Sequence, residues 1–154
     1  MKELELYLHI PFCVSKCNYC DFLSAPASKA ERQAYVEDLC RKIRSHGALA
    51  EVSSVVSVFL GGGTPSILEA DQTRAIFQAV RETFRLAEDA EITTEMNPGT
   101  VTREKLKAYR KLGINRLSIG AQSMDDRELR MLGRIHTRQD FLETYQMARE
   151  EGFT

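Results

Sequence analysis

Four short apolar runs, each followed by a loop of small or reactive residues and then by a helix-period segment, constrain this chain more than any other feature. Strands that alternate with helices pair in parallel, because the helix carries the chain back across the sheet. Leu4, Leu6, Leu8 and Ile10 alternate with Glu5, Tyr7 and His9, so the first strand has one apolar face and one polar face. Residues 55–60 are almost continuously apolar, as a strand buried on both faces is. Residues 91–96 put Ile92, Thr94 and Met96 on one face and Glu91, Thr93 and Glu95 on the other, and residues 116–120 form the fourth strand.

The helices between them are read from period and caps. Residues 28–46 carry Val36, Leu39, Cys40 and Ile43 on one face, with Gly47 expected at the left-handed C′ position. Ile76, Phe77, Val80 and Phe84 mark the next helix, expected to open on a capping box of Ser66 and Glu69. Thr102 caps a third that bears Leu106, Tyr109 and Leu112 and stops at Gly113. A short helix over residues 125–132 precedes one that starts at Thr137, with Phe141, Tyr145 and Ala148 as its face and Gly152 at its end. The expected fold class is α/β: a parallel (β/α) barrel-like sheet of about four units, too few to close. Residues 1–154 are accordingly expected to be the N-terminal part of a larger core domain, with the remainder of the barrel and a C-terminal domain lying outside them.

Every loop with unusual chemistry follows a strand and precedes a helix, the end at which α/β barrels build their sites. The first holds Cys13, Cys17 and Cys20 in CxxxCxxC spacing. Three thiolates leave a [4Fe–4S] cube one iron short of a protein ligand, whereas a structural metal site normally closes its own shell. A zinc-stabilised binding module stays open on these residues, with His9 as the nearest fourth ligand. With 28% charged residues and four cysteines in 154, the chain reads as cytoplasmic and reduced, so the thiols are free for metal, and Cys40 belongs to the core. A net charge of −1 with interleaved Lys, Arg, Asp and Glu gives no footprint for nucleic acid, and no apolar run is long enough for a transmembrane segment.

Gly61, Gly62 and Gly63, followed by Thr64, form either a tight turn or a backbone cradle for a polar ligand. Glu95 ends the third strand and is either solvated or holding something polar. Gln122 and Arg134 follow the fourth strand and pose the same choice, while Tyr7 lies on the polar face beside the cysteine loop.

Taken together, the stretches from Tyr7 to Phe22, Phe59 to Ser66, Glu95 to Gly99, Asn115 to Ser123 and Leu132 to Thr137 resemble the radical S-adenosylmethionine superfamily over the whole chain. In order and spacing they are similar to the branch that contains oxygen-independent coproporphyrinogen III oxidase and the heme chaperone HemW. The resemblance implies a [4Fe–4S] cluster on Cys13, Cys17 and Cys20, whose open iron chelates S-adenosylmethionine. It implies that Tyr19 lies near the adenine, that Gly62, Gly63 and Thr64 hold the methionyl end, and that Tyr7, Glu95, Gln122 and Arg134 line the pocket. The implied chemistry is one-electron reduction of the sulfonium, giving methionine and a 5′-deoxyadenosyl radical that abstracts hydrogen. Decarboxylating oxidases of this branch carry a further cysteine two residues after the third ligand, where this chain has Phe22 after Cys20 and Asp21. That ending resembles the heme chaperones, which implies heme or porphyrin as a ligand of the whole protein. It also implies an electron donor such as flavodoxin or ferredoxin and a hemoprotein acceptor. The same residues leave oxidase activity as the alternative.

Overall fold

The computed structural model describes residues 2–153. Its four strands are β1 (Lys2–Ile10), β2 (Ser53–Gly62), β3 (Leu86–Met96) and β4 (Arg116–Ile119), all parallel and in sequence order across one sheet. Helices α1 (Lys29–Arg44), α2 (Gly47–Ala50), α3 (Ala70–Thr83), α4 (Arg103–Lys111), α5 (Asp126–Met131) and α6 (Arg138–Glu150) fill the connections. This is the expected incomplete parallel barrel of four βα units.

Register decides which residues meet at the strand ends. Leu8 pairs with Leu60, and Leu60 with Thr94, in one row, while His9 pairs with Gly61 and Glu95 with Ser118 in the rows beside it. Leu8, Ile10, Val58, Leu60, Ile92 and Met96 join the helix residues Val36, Cys40, Ile43, Ile76, Phe77 and Val80 in one buried cluster. The other side of the sheet carries Tyr7, whose ring stacks on Phe59 at 6.1 Å and which is 60% exposed. A side-chain period of two thus sends alternate residues to the helix layer and to the barrel interior.

Several local expectations are corrected. Gly47 does not cap α1: the helix ends at Ser45 in right-handed conformation, and Gly47 begins α2. Ser66 does not cap α3, because it lies in the 3₁₀ turn Pro65–Ile67, fully buried, with its hydroxyl against Thr100 Oγ1 at 2.6 Å. Glu69 is the N-cap instead, and Gln72 reaches back to its backbone N–H at 3.0 Å. Strand β3 starts five residues early, at Leu86, and its register against β2 shifts between Leu86 and Glu91. The buried face of α6 is Thr144 and Ala148, whereas Tyr145 is exposed and stacks on Phe141 at 6.2 Å. The Gly113 and Gly152 stops do adopt positive φ, at 80° and 82°.

Phe77 is fully buried in the cluster between α3 and the sheet. Phe77→Ala is expected to cost about 3–5 kcal/mol of folding free energy, read as a fall in denaturation midpoint at unchanged slope.

Candidate functional site

The cysteine loop leaves β1 and is fastened at several points before it reaches α1. Phe12 and Ala25 form a parallel bridge, closed by Cys13 N–H to Ala25 O at 3.2 Å and Ala25 N–H to Pro11 O at 3.0 Å. The loop after β2 lies against it: Gly63 N–H donates to Ile10 O at 2.8 Å and Thr64 N–H to Phe12 O at 2.7 Å. From the far side, Asn18 is held by the end of α5, with its N–H on Leu132 O at 3.0 Å and its amide on Met131 O at 2.8 Å.

Two of the three thiols meet polar side chains from other strand ends. Thr64 Oγ1 lies 3.5 Å from Cys13 Sγ, and Arg134 Nη1 lies 3.5 Å from Cys17 Sγ. Arg134 Nη2 donates to Asn97 Oδ1 at 2.8 Å and to Gly120 O at 2.9 Å. Asn97 in turn donates from Nδ2 to Thr64 Oγ1 at 3.0 Å. Glu95 Oε2 accepts from Gly62 N–H at 2.9 Å, so the half-buried carboxylate is held by backbone through one oxygen. Burial raises the Tyr19 phenol above its ordinary range, against the pull of Arg134. Burial and the Arg134 charge both lower the His136 imidazole, which supports the next loop through Ala121 O at 3.2 Å.

All of these groups but His136 line one open cavity of about 480 Å³. Of the residues singled out in sequence, Cys13, Cys17, Cys20, Tyr19, Gly62, Gly63, Thr64, Glu95, Gln122 and Arg134 line it. Tyr7 does not. Its hydroxyl is 2.9 Å from His9 Nδ1 and its ring stacks on Phe59, with its phenol raised by burial and by the Glu95 charge. Asn97, which joins the loops after β2, β3 and β4, was missed. Asn before Pro98-Gly99 reads as a plain turn signal, and only tertiary contact gives its amide a task.

The donor set bears on the two metal readings. His9 has both ring nitrogens engaged, Nδ1 by Tyr7 and Nε2 by Leu23 O at 3.1 Å, so serving as a fourth zinc ligand through Nδ1 would cost the Tyr7 bond. Among the described residues no three His, Cys, Asp or Glu side chains close on a point that one ion could fill. Three thiols set around a cavity suit a body with several metal atoms, each taking one thiolate. Gly63 fits the same picture, since a Cβ there would come within 2.5 Å of Phe12 O and 3.0 Å of Cys13 Sγ.

Gly63→Ala is therefore expected to destabilise the protein by roughly 1–3 kcal/mol, because backbone must shift to make room. Gly47→Ala, where a Cβ meets nothing within 4 Å, should be neutral or stabilising. Paired denaturation curves check both.

Comparison with known proteins adds to this geometry. Residues 7–154 match the family model of the Radical SAM superfamily. The heme chaperone HemW of Escherichia coli is 43% identical over 141 residues, covering 91% of this chain and 37% of that protein. The mitochondrial radical S-adenosyl methionine domain-containing protein 1 of Bos taurus is 39% identical over 143 residues, covering 93% of this chain and 32% of its own length. In structure, the coproporphyrinogen III oxidase HemN of Escherichia coli superposes with a TM-score of 0.90 at 30% identity, over 99% of this chain and 36% of that one. The chain spans about a third of the length of these relatives. With a family match over nearly its whole length, and a barrel-like sheet whose strand ends gather three thiols at one cavity, this chain belongs to the radical S-adenosylmethionine superfamily.

Proposed function

We propose that Cys13, Cys17 and Cys20 hold a [4Fe–4S] cluster, that the adjoining cavity takes S-adenosylmethionine, and that the protein is a heme chaperone of the HemW kind. The observation that carries the cofactor reading is the set of three thiols opening on one cavity while the nearby imidazole of His9 is already bonded at both nitrogens. When bound, the cluster supplies the electron that cleaves the sulfonium.

The chain's own residues divide the work of holding the cofactor. Tyr19 offers an aromatic face beside the second and third thiols for the adenine. Gly62, Gly63 and Thr64 bring backbone close enough for the methionyl end. Glu95 is fixed through one oxygen by Gly62 N–H, leaving Oε1 to accept from the ligand. Gln122 and Arg134 close the wall on the β4 side, and Tyr7 supports His9 through its hydroxyl and Phe59 through its ring.

Within the branch, Phe22 supports chaperone over oxidase. It stands in the cavity wall, 65% exposed, at the position where the decarboxylating enzymes have a further cysteine. Heme or a porphyrin is the proposed ligand of the whole protein, with a hemoprotein acceptor and a small electron-transfer protein as partners. A reducing compartment such as the cytoplasm fits four free thiols. No helix among the described residues is long and apolar enough to cross a membrane. The second reading, an oxygen-independent coproporphyrinogen III oxidase, is favoured by the structural likeness to HemN.

Electron paramagnetic resonance on the reduced, reconstituted whole protein is expected to show a [4Fe–4S]⁺ signal that changes when S-adenosylmethionine is added. Cys17→Ala should lose both the signal and most of the iron. Bound zinc with no cluster signal would sink the cofactor reading. To separate chaperone from oxidase, heme binding should be detected while coproporphyrinogen stays unconsumed under strict anaerobiosis. Decarboxylation over many turnovers would establish the oxidase instead.

A further inference from the structure

Asn97 is left without a role by the cofactor assignments, yet its amide stands between two donors that end on different cysteines. Arg134 carries only donors, so the amide atom that faces its Nη2 at 2.8 Å must be Oδ1. The amide nitrogen is thereby turned to Thr64 Oγ1, 3.0 Å away. A hydroxyl has a single hydrogen, and with a lone pair of Thr64 taken by Asn97, that hydrogen is directed to Cys13 Sγ at 3.5 Å. On the other arm the guanidinium, held by Asn97 and Gly120 O, presents Nη1 to Cys17 Sγ at 3.5 Å. The Asn97 backbone is fixed as well: Thr100 Oγ1 donates to its carbonyl at 2.6 Å, and its N–H reaches the buried Ser66 Oγ at 3.4 Å.

We propose that Asn97 is a positioning residue that sets the reduction potential of the cluster, by fixing the Thr64 hydroxyl and the Arg134 guanidinium as donors to two of its thiolate sulfurs. The proposal rests on the cofactor reading above. Reduction adds one electron to an already anionic group, and the positive end of a donor stabilises the more negative state more, so each such bond raises the potential. The low dielectric around Thr64, which is 2% exposed, strengthens the effect. A carboxylate at position 97 accepts but cannot donate. Asn97→Asp keeps the Arg134 contact, draws the Thr64 hydrogen away from Cys13 and adds a negative charge.

The test is a redox titration, followed by electron paramagnetic resonance without S-adenosylmethionine, on the cluster-loaded whole protein and its Thr64→Val, Thr64→Ser and Asn97→Asp variants, with iron and sulfide measured for each. In Thr64→Val the ratio of reduced to oxidised cluster at a fixed applied potential should fall about tenfold, a shift of about 59 mV for one electron. Thr64→Ser, which keeps the hydroxyl, should titrate close to wild type, and Asn97→Asp should fall further than Thr64→Val. Equal potentials in wild type and Thr64→Val at matched iron content would overturn the proposal. A wild-type protein that assembles no cluster would overturn the cofactor reading and this proposal together.

Discussion

The hydrogen-bond ladder between β1 and β2 does not stop where the strands stop. Gly63 N–H on Ile10 O and Thr64 N–H on Phe12 O carry the pairing into the two loops that follow, so the cysteine loop leaves the sheet already fastened to its neighbour. That close approach depends on the absence of a side chain at Gly63, and on Gly62 taking a φ of 117°, a conformation open to glycine and costly to any other residue. Parallel pairing in sequence order then brings the ends of β3 and β4 alongside. The cavity is a consequence of this row of strand ends.

A connection as long as residues 11–28 costs conformational entropy that no helix or strand of its own offsets, and connections of that length are usually functional. Here the cost is met by contacts from three other elements. The loop after β2 holds Cys13, the end of α5 holds Asn18, and Arg134 reaches Cys17. Because Asn97 links Thr64 to Arg134, two of these supports are bonded to each other and not only to the loop. Buried polar groups in such a network rigidify it when each has its partner.

Much of this was legible in sequence because its cause is periodic or local. Strand β1 alternates Leu4, Leu6, Leu8 and Ile10 in a period that only one face of a sheet satisfies, and Thr102 and Thr137 mark helix starts by their own chemistry. The cysteines, glycines and Glu95 stand out because each is a residue type with a cost or a reactivity that a plain strand end does not need. What sequence did not give has a tertiary cause. Ser66 looks like a cap, yet it is buried against Thr100 and Asn97 from the next connection. Phe141 and Tyr145 look like a core face, but α6 turns Thr144 inward, where its hydroxyl accepts from Gly99 N–H at 3.2 Å. Asn97 itself is silent in sequence because its partners lie 33 and 37 positions away.

Gln122 shows how the β4 side of the cavity completes the design. It is the single non-glycine residue with positive φ among those described, at 58°, a conformation that costs a residue with a side chain about 1–3 kcal/mol. Such strain persists only where its surroundings impose it. Ala121 N–H bonds back to Ile119 O at 3.0 Å, Ser123 N–H to Ala121 O at 2.7 Å, and His136 Nε2 holds the same Ala121 carbonyl from α6's approach. Burial and the Arg134 charge lower the His136 pKa and so favour the neutral imidazole, which supports the turn without a second positive charge beside Arg134. The thiol side of the cavity is thus built from linked hydrogen bonds, with Arg134 Nε left buried and without a partner, and the β4 end adds a strained turn that holds an exposed amide in the cavity wall. A loop fastened by its neighbours and a turn whose shape those neighbours impose are what a site needs to orient a ligand between them.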